Sequence, residues 1–130
     1  IDVYNKGEMY RDFTYIDDIV KGVTKTLDNP ASGNVSWNSN QPDPATSKMP
    51  WRIYNIGNNT PIMLKEFIEA IESSLGATAV KKNLPMQPGD VYQTYADIGR
   101  INADFGYQPK TKLKKGINEF IDWYKYWTKH

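Results

Sequence analysis

Cysteine is absent from this chain of 130 residues, and the only histidine is the final residue, His130. The absence of cysteine excludes disulfides, a thiolate nucleophile and cysteine metal sites. One terminal histidine cannot build a histidine-based triad, a buried general base or a metal cluster. The composition therefore argues against hydrolytic and zinc chemistry, and it is compatible with a reducing cytoplasm.

Two motifs of cofactor chemistry are also missing. The 9 glycines are scattered, so neither the spacing of a dinucleotide-binding loop nor that of a P-loop occurs. No tyrosine is followed four positions later by a lysine, the arrangement in which lysine lowers the tyrosine pKa for proton transfer. The chain by itself is therefore predicted neither to bind NAD in the Rossmann manner nor to transfer a hydride.

Strong charge of one sign and long apolar runs are lacking as well. Lysine and arginine total 16 against 15 acidic residues, which gives no reason to expect a nucleic-acid or membrane partner. No segment approaches the ~20 apolar residues of a membrane span. Apolar residues make up 39% of the chain, enough for one domain, residues 1–130, with its own core. The start at Ile1, in a strand pattern and without methionine, indicates a piece of a longer protein.

Apolar periodicity predicts an α/β arrangement of short strands and about four helices. The first predicted helix begins at Asp17, and the others occupy 64–75, 98–105 and 113–124. The predicted strands and extended pieces are 1–4, 12–15, 51–56, 80–84 and 92–96, with 51–56 as the central strand. Residues 30–50 have no apolar repeat and are predicted to form a long loop, either a lid or binding loop or a disordered segment.

Helix ends carry their own signals. Asp17 and Asp18 stand where carboxylates cap free N–H groups at the start of a helix, and Asp97 stands similarly before the short helix. Gly76 and Gly106 follow the last periodic residues of two helices, as C-terminal capping glycines do.

Five side chains could bind an anionic, hydroxyl-rich ligand. Arg11 offers a planar, permanently charged group to a phosphate, and Asp90 can accept hydrogen bonds from a ribose diol. Asn55 and Gln87 can form neutral hydrogen bonds, and Tyr4 offers an aromatic surface to a base.

Most of these candidates also have a structural interpretation. Arg11 could form an ion pair with its neighbour Asp12, a common contact that contributes little stability. Asp90 follows Pro-Gly and could simply belong to a turn. Tyr4 could pack in the core, and Asn55 could satisfy backbone groups at a strand end. The residues alone leave these alternatives open.

Four segments in fixed order resemble a known family. They are Arg11-Asp12-Phe13, Tyr15-Ile16-Asp17-Asp18, Tyr54-Asn55-Ile56-Gly57 and Met86-Gln87-Pro88-Gly89-Asp90. In this order, and over essentially the whole chain, they resemble the C-terminal part of extended short-chain dehydrogenase/reductase enzymes that act on nucleotide sugars. The loop 42–47 leading into residues 52–58 looks most like bacterial UDP-glucuronate 4-epimerases of capsule biosynthesis.

The resemblance implies a role for each candidate. Arg11 would contact the diphosphate, Tyr4 would lie against the uracil, and Asn55 would make a polar contact near the nucleotide. Asp90 would hold the ribose hydroxyls. Gln87 stands where many relatives carry a phosphate-binding arginine, so a second phosphate clamp is not carried over to this chain.

The resemblance also implies an N-terminal Rossmann domain, outside these residues, that binds NAD and carries the catalytic tyrosine and lysine. The implied reaction oxidises C4 of a UDP-sugar to a ketone and reduces it on the other face, converting UDP-glucuronate to UDP-galacturonate. The parent enzyme would be a cytoplasmic homodimer. A UDP-glucuronate decarboxylase, a sugar 4,6-dehydratase and a stand-alone nucleotide-sugar binding module are the alternatives. This chain alone is predicted to be inactive.

Overall fold

Short strands and longer helices alternate through residues 1–129, the part of the chain that the computed structural model describes. Within this range the four strands are β1 (Asp2–Tyr4), β2 (Tyr10–Arg11), β3 (Ile62–Met63) and β4 (Lys82–Leu84). The four α-helices of the same residues are α1 (Ile16–Leu27), α2 (Leu64–Leu75), α3 (Gly99–Phe105) and α4 (Leu113–Trp127). One 3₁₀ turn occupies Asn5–Gly7. The predicted α/β class and number of helices are confirmed.

The strands form two small sheets in the described residues. β1 pairs in parallel with β4, and Tyr4 lies opposite Leu84. β2 pairs antiparallel with β3, and Arg11 lies opposite Ile62. The predicted strands at 1–4 and 80–84 are therefore present, each shortened at its N-terminal end.

Residues 92–94 run along the other side of β2. The Tyr10 N–H donates to the Tyr92 carbonyl at 2.8 Å, and the Thr94 N–H donates to the Tyr10 carbonyl at 3.1 Å. An isolated parallel bridge between Tyr10 and Gln93 results. β2 is only 2 residues long, but it has a neighbouring segment on each side.

The predicted strands at 12–15 and 51–56 are wrong. Residues 12–15 run as an extended link from β2 to α1, outside any sheet. The central strand predicted at 51–56 forms a single bridge, between Thr46 and Arg52, together with a hydrogen bond from the Ile53 N–H to the Ala45 carbonyl at 2.9 Å. A strand needs a neighbour along its whole length to satisfy alternate N–H and C=O groups, and in the described structure only the loop at 45–46 pairs with this segment.

The helix ends agree with the sequence at three positions. Gly76 and Gly106 end α2 and α3 in the left-handed region, with φ of 69° and 61°. Asp97 accepts the N–H of Gly99, the first residue of α3, at 2.8 Å.

The capping role predicted for Asp17 and Asp18 is wrong. α1 begins at Ile16 without a side-chain cap. Asp18 is 1% exposed, and its carboxylate accepts the backbone N–H groups of Lys110 at 3.1 Å and Thr111 at 2.8 Å. It fastens α1 to the segment before α4. The sequence could not show this, because these donors lie more than 90 positions away.

The core forms where α1 and α3 meet the extended segments. Ile98, Ile101 and Tyr107 are buried there. α1 approaches closely at Gly22, where an added Cβ would lie 2.9 Å from the Ile56 side chain and 3.2 Å from the Tyr107 ring. Burying each large side chain of this kind stabilises the fold by about 1.5–3 kcal/mol. The extended segment around Ile56 therefore packs against the core although it belongs to neither sheet.

A second packing layer joins α2 to α4, and other helix faces stay open. Phe13 stacks on Phe67 with ring centroids 4.0 Å apart, and Ile117 and Ile121 of α4 are buried. Outward-facing apolar residues remain on α1 and α4, including Ile16, Leu27, Trp123 and Trp127. None of the helices in residues 1–129 has the length and apolar content to cross a membrane.

Residues 30–50 contain no helix and no strand of either sheet in the described structure. Thr46 is buried, and the N–H of Asn34 donates to the Ser47 carbonyl at 2.7 Å. Asp43 accepts the Ala45 N–H and forms an ion pair with Arg100 of α3 at 3.0 Å. These contacts hold the segment against α3.

Candidate functional site

The carboxylate of Asp12 is the polar centre of the region around β2. It accepts four backbone N–H groups, from Asn58 at 3.2 Å, Asn59 at 3.1 Å, Thr60 at 3.4 Å and Ala96 at 3.0 Å. A carboxylate that receives several N–H donors is a strong fixed point, because charge-assisted bonds are about twice as strong as neutral ones. Asp12 therefore joins β2 to two segments that are distant in sequence.

Gly57 makes this convergence possible. A Cβ at position 57 would lie inside van der Waals contact of the Ala96 side chain and 2.9 Å from a carboxylate oxygen of Asp12. The Gly57 carbonyl in turn accepts the buried Tyr107 hydroxyl at 3.0 Å. Burial first, and then the charges of Asp18 and Asp12, raise the pKa of Tyr107, so the hydroxyl stays protonated as a donor.

Arg11 projects from β2 beside this centre. Its Nη1 donates to the Tyr10 carbonyl at 2.8 Å and lies 3.4 Å from the Tyr92 carbonyl. The ion pair with Asp12 that the sequence left open does not form, since backbone N–H groups occupy the Asp12 carboxylate. Within residues 1–129, Arg11 takes part in none of the ion pairs. Its positive charge is therefore held by neutral carbonyls and remains available to an anion.

Tyr4 and the turn 87–90 lie at one end of the β1–β4 sheet. Tyr4 is the last residue of β1 and pairs with Leu84, the last residue of β4. Parallel strands end at the same edge of a sheet, and the chain continues from β4 into the turn. The Asp90 N–H donates to the Gln87 carbonyl at 3.1 Å. Because this turn uses the backbone of Asp90, its carboxylate stays exposed, as does the Gln87 side chain.

Asn55 lies on the opposite side of Asp12. Its amide nitrogen donates to the Asp97 carbonyl at 3.2 Å, which is the structural role that the sequence left open for it. Asn55 also lines a cavity of about 430 Å³ together with Asp12, Thr94 and Tyr95. Tyr10 and Tyr92, whose carbonyls hold Arg11, do not line this cavity, and the Asn55 amide is already engaged.

The structure thus arranges the five predicted residues in two groups. Tyr4, Gln87 and Asp90 lie at the end of the β1–β4 sheet, and Arg11 is joined to them through Tyr92, two positions after Asp90. Asn55 belongs to the neighbouring cavity. Asp12 was assigned only an ion-pair role by the sequence, and its backbone donors lie 46 to 84 positions away, beyond the reach of any local pattern.

The chemistry of these groups is that of binding. The described residues contain no cluster of acidic or histidine side chains that could hold a metal ion. The chain also lacks the glycine-rich loop and the tyrosine–lysine pair that NAD-dependent hydride transfer uses. The residues present therefore do not fit NAD, and no step of hydride chemistry is assigned to them.

Solved structures with the same fold are nucleotide-sugar enzymes. UDP-glucuronic acid 4-epimerase from Bacillus cereus, in complex with UDP-glucuronic acid and NAD, superposes with a TM-score of 0.74 and 26% sequence identity, covering 97% of this chain and 35% of the epimerase. dTDP-glucose 4,6-dehydratase from Bacillus anthracis superposes with a TM-score of 0.70 at 20% identity, covering 95% of this chain and 34% of the dehydratase. The fold is that of the C-terminal part of extended short-chain dehydrogenase/reductase enzymes acting on nucleotide sugars.

The sequence comparison identifies the family. The GDP-mannose 4,6 dehydratase family model matches residues 2–120, and the chain belongs to this family. CapI of Staphylococcus aureus is 49% identical over 95% of this chain and 37% of its own length. A probable UDP-glucuronate 4-epimerase of Rhizobium meliloti is 37% identical over 95% of this chain and 37% of its own length. The chain thus spans little more than a third of these relatives.

Proposed function

We propose that this chain is the UDP-sugar-binding region of an NAD-dependent nucleotide-sugar epimerase that interconverts UDP-glucuronate and UDP-galacturonate for capsule biosynthesis. The observation that carries the proposal is Arg11. Its guanidinium rests on two backbone carbonyls, at 2.8 and 3.4 Å, and its charge is not paired with a carboxylate among residues 1–129. The similarity to UDP-glucuronate 4-epimerases supports the choice of ligand.

The diphosphate is the part of the ligand that Arg11 recognises. A guanidinium presents several N–H donors in one plane, which suits two phosphate oxygens at once. Such charge-assisted bonds contribute about 1.5–3 kcal/mol each. Because the neighbouring carbonyls of Tyr10 and Tyr92 orient the guanidinium, little side-chain entropy is lost on binding.

The half-buried Tyr4 and the exposed side chains of the turn 87–90 bind the nucleoside. The Asp90 carboxylate accepts hydrogen bonds from the two ribose hydroxyls, and Tyr4 presents its ring to the uracil. Gln87 contributes a neutral hydrogen bond beside the diphosphate. The binding free energy of these remote groups holds the sugar near the reacting centre, where NAD and the catalytic side chains would come from the rest of the protein.

A titration of the 130-residue chain with UDP, followed by NMR, tests the role of Arg11. We expect weak binding that Arg11→Ala abolishes or reduces at least tenfold, since about 1.4 kcal/mol corresponds to a factor of ten. Arg100→Ala is the matched control: it removes an arginine of the same charge whose partner is Asp43, in the segment 30–50. Equal losses in the two variants would show a nonspecific effect of charge and contradict the proposal.

The identity of the reaction needs a second experiment. The complete enzyme that the proposal requires should be incubated separately with UDP-glucuronate and UDP-glucose, with product analysis. UDP-galacturonate as the product supports the proposal. Loss of carbon dioxide or of water from the sugar would instead identify a decarboxylase or a 4,6-dehydratase. The 130-residue chain alone is expected to show no turnover.

A further inference from the structure

β2 is so short that contacts beyond its own strand pairing must keep Arg11 in register. β2 is 2 residues long and pairs with β3 through Tyr10 and Arg11 only. On its other side, a single bridge connects it to residues 92–94. A ladder of this length has few hydrogen bonds to resist slippage, and strand register is weakly specified in such short pairs.

Asp12, the residue directly after β2, supplies the missing bonds on both sides. One side is the segment that leads into β3: the N–H groups of Asn58, Asn59 and Thr60 all donate to the Asp12 carboxylate, at 3.1 to 3.4 Å. The other side is the segment that continues from 92–94: the Ala96 N–H donates to the same carboxylate at 3.0 Å.

A further hydrogen bond joins Asp12 to the segment 92–96, and in this bond Asp12 is the donor. The Asp12 N–H donates to the Thr94 hydroxyl at 3.1 Å. The segment held in this way carries the Tyr92 carbonyl on which Arg11 rests, and it follows Asp90 by only two positions. Fixing it along β2 therefore restricts where Asp90 can lie relative to Arg11.

We propose that Asp12 is a positioning residue for the nucleotide: it locks β2 between β3 and residues 92–96 and so sets the spacing between Arg11 and Asp90 that a diphosphate and a ribose require. The proposal rests on the proposed function. It gives Asp12 a role through Arg11 and involves no contact of Asp12 with the ligand.

Asp18 is a natural control for this idea. It too is a carboxylate that accepts two backbone N–H groups, but it links α1 to Lys110 and Thr111 and pairs with Lys21, and none of these residues belongs to β2 or to its two neighbouring segments. Asp18→Asn and Asp12→Asn remove the same charge and leave backbone donors facing an amide, two at Asp18 and four at Asp12. A difference between them in nucleotide binding that exceeds their difference in stability therefore reports on position in the fold.

The test is a double-mutant cycle on the 130-residue chain, with UDP as the probe. We expect Asp12→Asn to weaken UDP binding about tenfold in the original chain and less than about twofold in the Arg11→Ala background, since residues that act through one another are not additive. Asp18→Asn should give the same small change in both backgrounds. Additive effects of Asp12→Asn and Arg11→Ala would overturn the proposal.

Amide hydrogen exchange of Tyr10 and Thr94 provides a readout that is independent of UDP. Asp12→Asn should accelerate their exchange beyond the change in global stability, whereas Asp18→Asn should not. Unchanged exchange overturns the proposal even if UDP affinity falls. If the original chain fails to bind UDP, the proposed function is contradicted, and the exchange rates still decide whether Asp12 sets the register. Should Asp12→Asn fail to fold, Thr94→Val removes one bond of the same set and is judged by the same two measurements.

Discussion

Gly57→Ala should strongly destabilise the chain, because position 57 has no room for a methyl group. Its Cβ would overlap the Ala96 side chain and lie 2.9 Å from an Asp12 carboxylate oxygen. Neither neighbour is the end of a long side chain, so neither can rotate away. Overpacking costs about 1–3 kcal/mol, and disturbing a bond to a charged acceptor costs about 1.5–3 kcal/mol more. We expect a total loss of about 2.5–6 kcal/mol.

Urea denaturation measures this loss, with the shift in midpoint at constant slope as the readout. Gly76→Ala is the control: its φ is 69° and no atom lies within 4 Å of an added Cβ, so it should cost only the strain of a left-handed alanine, about 1–2 kcal/mol. A Gly57→Ala variant no less stable than Gly76→Ala would refute the close approach of residues 57, 96 and 12 on which the site depends.

Three further predictions concern charge, pH and the open helix faces. Arg11→Ala should weaken UDP binding by about 1.5–3 kcal/mol. Arg11→Lys should weaken it by less, because lysine keeps the charge but loses the planar set of donors. Calorimetric titration at constant ionic strength checks this order of affinities. Burial alone would raise the pKa of Asp18, but hydrogen bonds from Thr111, Lys21 and Lys110 outweigh it and hold the pKa below its ordinary value of 3.8. A carboxyl group whose pKa is lowered by folding stabilises the fold at pH values above its unfolded-state pKa, and this contribution disappears as pH falls through the folded-state pKa. The free energy of unfolding should therefore fall less steeply in acid for Asp18→Asn than for the original chain. An identical slope would contradict this account. Trp127→Ser should cause little loss of stability in urea denaturation, because Trp127 is 66% exposed and its ring stacks on Trp123 of the same helix.

Local sequence signals predicted the helices well. The apolar stripe of α2 and its closing glycine depend only on residues within one helix, so periodicity and capping chemistry suffice to find them. Strands depend on a neighbour as well as on composition. Residues 51–56 have the composition of a buried strand, yet in the described structure their backbone forms strand-like pairing only with the loop at 45–46.

The candidate site was predicted less completely than the helices, because its contacts join residues that are distant in sequence. Arg11, Tyr4 and Asp90 could be chosen from their chemistry and from the ordered motifs. The roles of Asp12 and Asp18 depend on backbone donors between 46 and 93 positions away, and no local pattern records such a distance.

Mapping UDP-glucuronate onto the chain by NMR tests the central claim most directly. Backbone and side-chain resonances should be followed as the ligand is raised to about ten times a millimolar dissociation constant, a binding free energy near −4 kcal/mol. We predict that the largest shifts fall on Tyr4, Arg11 and Asp90, with the Arg11 guanidinium signal among them. Saturable shifts confined to other residues, or none at all, would contradict the account.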